Sequence, residues 1–289
     1  MEIELKTRKM DVTLELSEIT SWNNNDIVAT QWFNACSTLF PIGERMFIDS
    51  VRHFQPLVKD PLLQKQIKGF IHQEAMHSSF HLRYNKVLRD KGYNIDFMDR
   101  HYHTFIKYAY YFFNDKMKLA ITAACEHITA SLGDIIYHQK LLAGAKENFA
   151  TLWKTHIIEE IEHKAVAFDT LKYLEIGYFT RISAMFIAYI EFTSRVSFRQ
   201  VVLLFQEGCA FNPKIWWQII KYKWGKKGIN RLLLLKTLQY FKIKFHPWDY
   251  NNYHIVKAWE PKDRIKSDEE NSFVPVSKTL LARVGSSTR

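Results

Sequence analysis

Apolar side chains recur every three or four residues along most of the chain, the spacing that places them on one face of an α-helix. Four long segments of this kind fill the first 177 residues, and a shorter aromatic segment at 96–113 lies between the second and the third. Residues 1–20 alternate and carry charge, so we expect an edge strand or an extended arm there. The pattern predicts an all-α protein.

Capping residues indicate where the first two helices begin. Asn25 and Asp26 can accept hydrogen bonds from the free N–H groups at a helix start, and we expect the first helix to begin there. Pro41 should kink or restart it, because proline lacks an N–H group. The second helix should begin with Asp60 as its cap and Pro61 in its first turn.

Similar signals bound the later helices. Gly92 should end the second helix, and Asn114 or Asp115 should cap the third, which runs to about residue 142. A fourth helix is expected over about 146–176, ended by Gly177.

This order of elements is typical of a ferritin-like antiparallel four-helix bundle with a longer crossing in the middle. We assign residues 26–177 to the bundle, 1–25 to an N-terminal arm, 178–250 to additional C-terminal helices and 251–289 to a polar tail. The apolar helix expected at 178–206 is interrupted by charges too often to cross a bilayer.

Composition supports a helical intracellular protein. Only 10 glycines and 7 prolines occur, which disfavours a chain rich in tight turns. Cys36, Cys125 and Cys209 form no paired framework, which suits a reducing compartment. The first residues contain no apolar leader, so we expect a cytoplasmic location.

One segment accounts for most of the net charge of +10: between Ala210 and Trp248 there are nine basic residues, interleaved with aromatic ones, and no acidic residue. One interpretation is a helical pair that closes the bundle, with tryptophans inside and lysines in solvent. Another is peripheral contact of 210–248 with the inner face of a membrane. No nucleic-acid reading motif occurs, so we expect no nucleic-acid partner.

One arrangement of carboxylates and imidazoles occurs twice. Each half of the predicted bundle has a glutamate on one helix and a Glu-x-x-His motif on the next. The residues are Glu44, Glu74 and His77 in the first half, and Glu126, Glu160 and His163 in the second. Since residues at i and i+3 project from one helix face, we expect all six side chains to converge in the core.

Such a set predicts a site for two divalent ions, because four buried carboxylates need positive charge nearby. Glu74 and Glu160 would bridge the ions, and each ion would take one further glutamate and one histidine. Mixed oxygen and nitrogen ligands favour iron, with manganese and zinc open. The alternative is that these residues are exposed helix charges.

Neighbouring residues extend the candidate site. His81 stands one turn beyond His77 and is either a further metal ligand or part of the pocket wall. Gln73 and Glu159 each precede a motif glutamate, and either could bond the outer nitrogen of a ligand histidine or lie in solvent. His127 is expected to pack between helices.

Several separated segments resemble one bacterial family, catalogued as predicted metal-dependent hydrolases and similar to ferritin-like proteins. The resemblance spans about Trp32 to Asp249 and rests on FPIGERMFIDSVRHF, QEAMHSSFHLRYN, TAACEHITA, EEIEHKAVAFD and FHPWD. It implies the same six metal ligands. The family name implies hydrolysis, whereas a ferritin-like site implies dioxygen chemistry.

From these observations we expect a di-iron enzyme that uses dioxygen, and electrons from a separate donor, to oxidise an apolar small molecule. The substrate would lie among the aromatic residues of 102–113 and the helix at 178–206. A metal-dependent hydrolase is the alternative, and a non-catalytic metal-binding protein is the third interpretation.

Overall fold

The computed structural model describes residues 3, 5–8 and 12–260, and within that part of the chain the regular structure is helical without a strand. The all-α prediction is confirmed. Its helices are α1 (Ile27–Phe54), α2 (Pro61–Lys91), α3 (Ile95–Phe112), α4 (Asp115–His138), α5 (Glu147–His163), α6 (Val166–Tyr173), α7 (Tyr178–Gln206), α8 (Pro213–Trp224), α9 (Ile229–Thr237) and α10 (Tyr253–Trp259).

The helices begin where the capping residues predict. Asp26 accepts hydrogen bonds from the backbone N–H groups of Val28 and Ala29 at the start of α1. Asp60 caps α2, and Gly92 ends it in the left-handed conformation with φ of 105°. Asn114 caps α4 in the same way as Asp26 caps α1.

The restart expected at Pro41 does not occur, since α1 is continuous through it. A proline leaves the carbonyl four residues earlier without its helical partner. Here that carbonyl belongs to Ser37 and accepts a hydrogen bond of 3.1 Å from Nδ2 of Asn85 on α2. The next carbonyl, of Thr38, accepts one of 2.8 Å from Arg199 on α7. Packing partners therefore satisfy the backbone groups around the proline.

One expected helix is divided, and a second break lies within the segment 210–248. The helix predicted over 146–176 breaks after His163, where no proline or glycine stands. Lys164 turns its ammonium toward the Tyr250 carbonyl at 2.9 Å, and α6 packs against α2 and α4. The second break separates α8 from α9 at Gly228, where any Cβ would lie 2.5 Å from the backbone of Lys223.

The four helices that carry the repeated motif contact one another in a ring: α1 and α5 each pack against both α2 and α4. α7 lies across α1 and α4 on the outside of this ring. The main cluster of buried apolar residues runs through the ring and continues into α7, α9 and α10. The additional C-terminal helices therefore share the core of the ring.

Two further features bear on the predicted organisation. α10 lies at the start of the expected tail and buries Ile255 and Val256, while residues 261–289 are outside the described residues. Within the described chain, α4 is the one helix with the length and apolar character to span a bilayer. Most of it is buried inside the protein, as in a core helix.

We expect Gly133→Ala to destabilise the protein by about 1–3 kcal/mol, because the new Cβ on α4 overlaps a packed neighbour. It would lie 2.6 Å from Cγ2 of Ile157 on α5. Gly43→Ala on α1 is the matched control: its Cβ would meet Phe47 at 3.9 Å, an ordinary contact. Helix propensity should then raise the stability of that variant by up to about 1 kcal/mol. Urea unfolding measures both, and equal shifts would contradict the close α4–α5 packing.

Candidate metal centre

The six residues of the repeated motif meet in the interior of the four-helix ring. α1 contributes one of them, α2 two, α4 one and α5 two. Each side chain is 3% exposed or less: Glu44, Glu74, His77, Glu126, Glu160 and His163. The interpretation of these residues as exposed helix charges is therefore wrong.

Three carboxylates surround the ring of His163. Its Nε2 lies 3.1 Å from Oε2 of Glu126 and 3.2 Å from Oε1 of Glu74. Oε1 of Glu160 is 3.6 Å from the same nitrogen. The potential ligand atoms of these four residues lie within 4.8 Å of one another, so one ion could contact all of them.

A second group lies next to the first. Glu44, Glu74 and His77 bring potential ligand atoms within 4.8 Å of one another, and Nδ1 of His77 is 3.3 Å from Oε1 of Glu160. Glu74 belongs to both groups, and Glu160 reaches both histidines. This is the arrangement expected of carboxylates that bridge two ions.

Two more histidines complete the second group. His81 lies within the cluster, with Nε2 3.1 Å from Nδ1 of His156. His156 is 3.3 Å from Oε1 of Glu160, and together with His81 and Glu44 it could hold an ion. His156 has no counterpart in the first half, so the repeated motif does not predict it. Its position seven residues before His163, on the same helix face, was the available signal.

The outer nitrogens of the two motif histidines are held crosswise between α2 and α5. Nε2 of His77 lies 2.9 Å from Oε2 of Glu159, and Nδ1 of His163 lies 3.0 Å from Oε1 of Gln73. The predicted supporting role of both residues is thus matched by their contacts. Such bonds fix the ring orientation, so that the other nitrogen of each ring faces the carboxylates.

Behind these supports lies Arg8 of the N-terminal arm, which the sequence analysis did not single out. Its guanidinium is buried and makes two hydrogen bonds to Glu162, of 2.7 and 2.8 Å. Its backbone N–H donates to Oε1 of Glu159 at 2.9 Å. Glu162 in turn accepts a hydrogen bond from Gln73 at 3.3 Å. One arginine is therefore connected to both supporting residues.

The carboxyl groups differ in their electrostatic environment. Burial raises the pKa of Glu44, Glu74 and Glu126, because the charged form is costly away from water. Burial acts in the same direction on Glu160. There the positive charge of His163, 3.6 Å away, outweighs burial and holds the pKa well below its usual range.

The imidazoles also divide into two kinds. Burial alone would lower the pKa of His77 and His163, but their carboxylate neighbours outweigh it and raise both pKa values. Burial and the charge of His77 lower the pKa of His81 to about 3, and the same causes lower that of His156 well below its usual value. His81 and His156 are therefore neutral, which is the form that binds metals.

Unpaired buried atoms test whether this donor set fits a metal. Oε1 of Glu44, both carboxylate oxygens of Glu74 and of Glu126, Nδ1 of His77 and Nε2 of His163 are buried without a hydrogen-bond partner. Buried polar atoms normally have such partners. Here the unpaired atoms cluster together, and divalent cations would satisfy them all at once. The residues present fit the predicted metal site.

An apolar cavity of about 70 Å³ reaches this centre from the side. Glu44 and Thr129 line it, and Thr129 donates its hydroxyl hydrogen to Glu160. Its walls come from α1, α3, α4 and α7 and include Leu39, Phe47, Tyr102, Ile106, Ile187 and Phe192. The cavity thus lies between the two segments where the sequence predicts an apolar substrate.

The fold and the site define an all-helical protein with a buried, carboxylate-rich candidate metal centre. A family model described as predicted metal-dependent hydrolase matches residues 6–251, and the chain belongs to this family. No curated protein and no solved structure matches the chain. The family resemblance is thus confirmed, and the similarity to ferritin-like proteins stays a prediction.

We expect Glu74→Ala and Glu160→Ala each to lose at least one bound metal per chain, because each removes a carboxylate shared by the two groups. Metal-linked thermal stabilisation should fall as well. Metal content after dialysis and thermal unfolding with and without metal measure both effects. Glu147→Ala, at an exposed position on α5, is the matched control. Retention of two metals by either variant would contradict the bridging assignment.

A second pair of variants tests whether His156 binds metal or is an ordinary buried histidine. His156→Phe should weaken binding of one metal by at least about tenfold, in the range found for perturbed metal sites. His127→Phe should leave binding unchanged, because His127 packs against Tyr240 and Phe245 instead. Calorimetric titration of metal into the metal-free variants measures the difference, and equal affinities would remove His156 from the site.

Proposed function

We propose that this protein is a metal-dependent hydrolase that acts on a substrate with an apolar portion. The observation that carries the proposal is the cluster of unpaired buried carboxylate and imidazole atoms at the inner end of an apolar cavity. The family description points to the same chemistry. The positions of the donor atoms, their hydrogen bonds and the cavity lining support it further.

Two divalent ions would be held by the unpaired donor atoms of this cluster together with those of Glu160, His81 and His156. One ion would contact Glu126 and His163, and the other Glu44 and His77, with Glu74 and Glu160 between them. His81 and His156 lie on the side of Glu44 and would complete the second position. Ions bound there would lower the pKa of a water molecule and polarise the bond to be cleaved.

The surrounding residues orient these donors. Ser78 donates a hydrogen bond of 2.8 Å to Oε2 of Glu44, which leaves Oε1 to face the site. Thr129 does the same for Oε2 of Glu160. Gln73 and Glu159 fix the two motif histidines. With its donors held in advance, the site needs little rearrangement when a substrate arrives.

The cavity determines which part of a substrate can approach. Glu44 and Thr129 are its polar groups at the metal end, whereas the rest of the wall near Phe47, Tyr102 and Ile187 is mainly apolar. A substrate would therefore place its scissile bond beside Glu44 and its apolar portion between α3 and α7. Burial of that portion also excludes water from the reaction site.

Dioxygen-dependent oxidation of an apolar small molecule is the second candidate. Four carboxylates and the shared positions of Glu74 and Glu160 favour it, since such donors suit iron. It would need an electron donor in addition to the substrate. The family description supports hydrolysis instead, so oxidation is no longer the first interpretation. Non-catalytic metal binding is the third.

Reconstitution of metal-free protein discriminates these candidates. We expect Zn(II) or Mn(II) to support turnover of p-nitrophenyl esters without dioxygen or a reductant, and Glu126→Gln to abolish it. Fe(II) added anaerobically and then exposed to air is the parallel arm. A transient optical band with iron, together with no hydrolysis under any metal, would overturn the hydrolase proposal in favour of oxidation.

The cavity also predicts how activity depends on the length of the substrate's acyl chain. Gly43 lies in the cavity wall, where a Cβ would be 3.9 Å from Phe47 and 4.0 Å from the Tyr102 hydroxyl. Gly43→Leu should fill this space and lower kcat/KM for long acyl esters at least about tenfold more than for acetyl esters. Gly43→Ala is the control. Equal losses for both ester lengths would place the acyl chain elsewhere.

A further inference from the structure

The basic segment 210–248 does not bury its tryptophans as a simple lid would. Trp217 on α8 is 68% exposed and Trp224 is 51% exposed, whereas Lys223 on the same helix is 5% exposed. The ammonium of Lys223 donates to the hydroxyl of Ser197 on α7 at 2.8 Å. The tryptophans of α8 therefore do not lie inside, and of its lysines Lys223 is buried whereas Lys214 and Lys221 are in solvent.

The exposed apolar residues of α8 lie on one helix face. Successive residues are 100° apart around a helix, so Trp217, Ile220 and Trp224 form a single stripe. Lys214 and Lys221 follow its edge, and the opposite face is buried against the protein through residues such as Ile215 and Ile219. α8 thus presents an apolar stripe with a cationic border.

α9 repeats this arrangement. Its inner face buries Ile229 and Leu233, while its outer face exposes leucines. These exposed side chains are Leu234 and Leu235, followed by Leu238 and Ile243 beyond the helix. Arg231 lies on the same outer face, by the same rotation of 100° per residue. Two successive helices therefore expose apolar faces that solvent alone would disfavour.

The charged side chains within the segment 210–248 have one sign. Residues 210–248 contain nine basic residues and no acidic residue. Lys223 bonds Ser197, and Lys236 pairs with Asp134 at 2.6 Å. The exposed cations of the segment are Lys214, Lys221, Lys226, Lys227, Arg231, Lys242 and Lys244.

We propose that these outer faces of α8 and α9, with their exposed cations, form a docking surface for an anionic membrane. Aromatic and leucine side chains would enter the acyl boundary, and the cations would lie at anionic headgroups. A second copy of the chain fits less well. A twofold interface would set this cationic surface against itself and bring like charges together.

Docking would bring the apolar cavity close to a supply of lipid-like molecules. α7, which bonds α8 through Ser197, also provides Ile187 and Phe192 of the cavity wall. This consequence rests on the proposed function, whereas docking does not. A vesicle-binding assay does not measure catalysis. A failure of membrane docking can therefore be distinguished from a failure of the hydrolase proposal.

The test is flotation of the full chain with vesicles of phosphatidylglycerol and phosphatidylcholine at low salt. We expect binding that weakens with added salt and is at least about tenfold weaker on phosphatidylcholine alone. Replacing Lys214, Lys221, Lys226 and Lys227 by Gln should reduce binding to a similar degree. The matched control replaces the exposed lysines Lys65, Lys68, Lys91 and Lys140 by Gln, with binding kept within about twofold.

A second set of variants tests whether the apolar faces contribute to vesicle binding. Trp217→Ser combined with Trp224→Ser should also release the protein from anionic vesicles, while Leu57→Ser with Leu62→Ser, at exposed positions elsewhere, should not. Wild-type protein that stays in solution with anionic vesicles at low salt would overturn the proposal. So would a dimer in sedimentation that Trp217→Ser dissociates, because a second copy would then cover the surface.

Discussion

Four carboxylate groups lie together in the interior of this protein, and burying them requires positive charge in the same place. Two of their neighbours, His77 and His163, can supply some of it by protonation, as their raised pKa values indicate. Those charges still leave oxygens of Glu74 and Glu126 without partners. Divalent cations would satisfy both the charge and the unpaired atoms. Metal binding would then also stabilise the ring of four helices, since the donors come from every member of it.

The need to hold these donors explains much of the surrounding structure. Gln73 on α2 supports a histidine of α5, and Glu159 on α5 supports a histidine of α2. The guanidinium of Arg8 lies 3.6 Å from Oε1 of Glu159 and 2.7 Å from Oε1 of Glu162, and it compensates their charge. The N-terminal arm is therefore part of the site's scaffold, and the family match from residue 6 onward includes it.

Short sequence patterns predicted the features of the structure that depend on residues close together in the chain. Asp26, Asp60 and Gly92 act within one helical turn, and the two Glu-x-x-His motifs place their side chains on one face by spacing alone. Contacts between distant segments cannot be predicted from such patterns. An example is the hydrogen bond from Arg8 to Glu162, which are 154 residues apart in the sequence. The sequence left open whether the tryptophans of α8 face inward or outward, because a hydrophobic pattern does not say which face meets the core. His156 lies outside the repeated pattern, which therefore does not predict it.

As proposed above, two metal ions would lie between the glutamates and histidines of the four-helix ring. Anomalous X-ray scattering from crystals of protein purified without chelators would locate them. We predict two anomalous peaks inside the ring, one beside Glu126 and His163 and the other beside Glu44 and His77, with Glu74 and Glu160 contacting both. A crystal of metal-supplemented protein with no peak there, and with those carboxylates bonded to protein groups alone, would contradict the account.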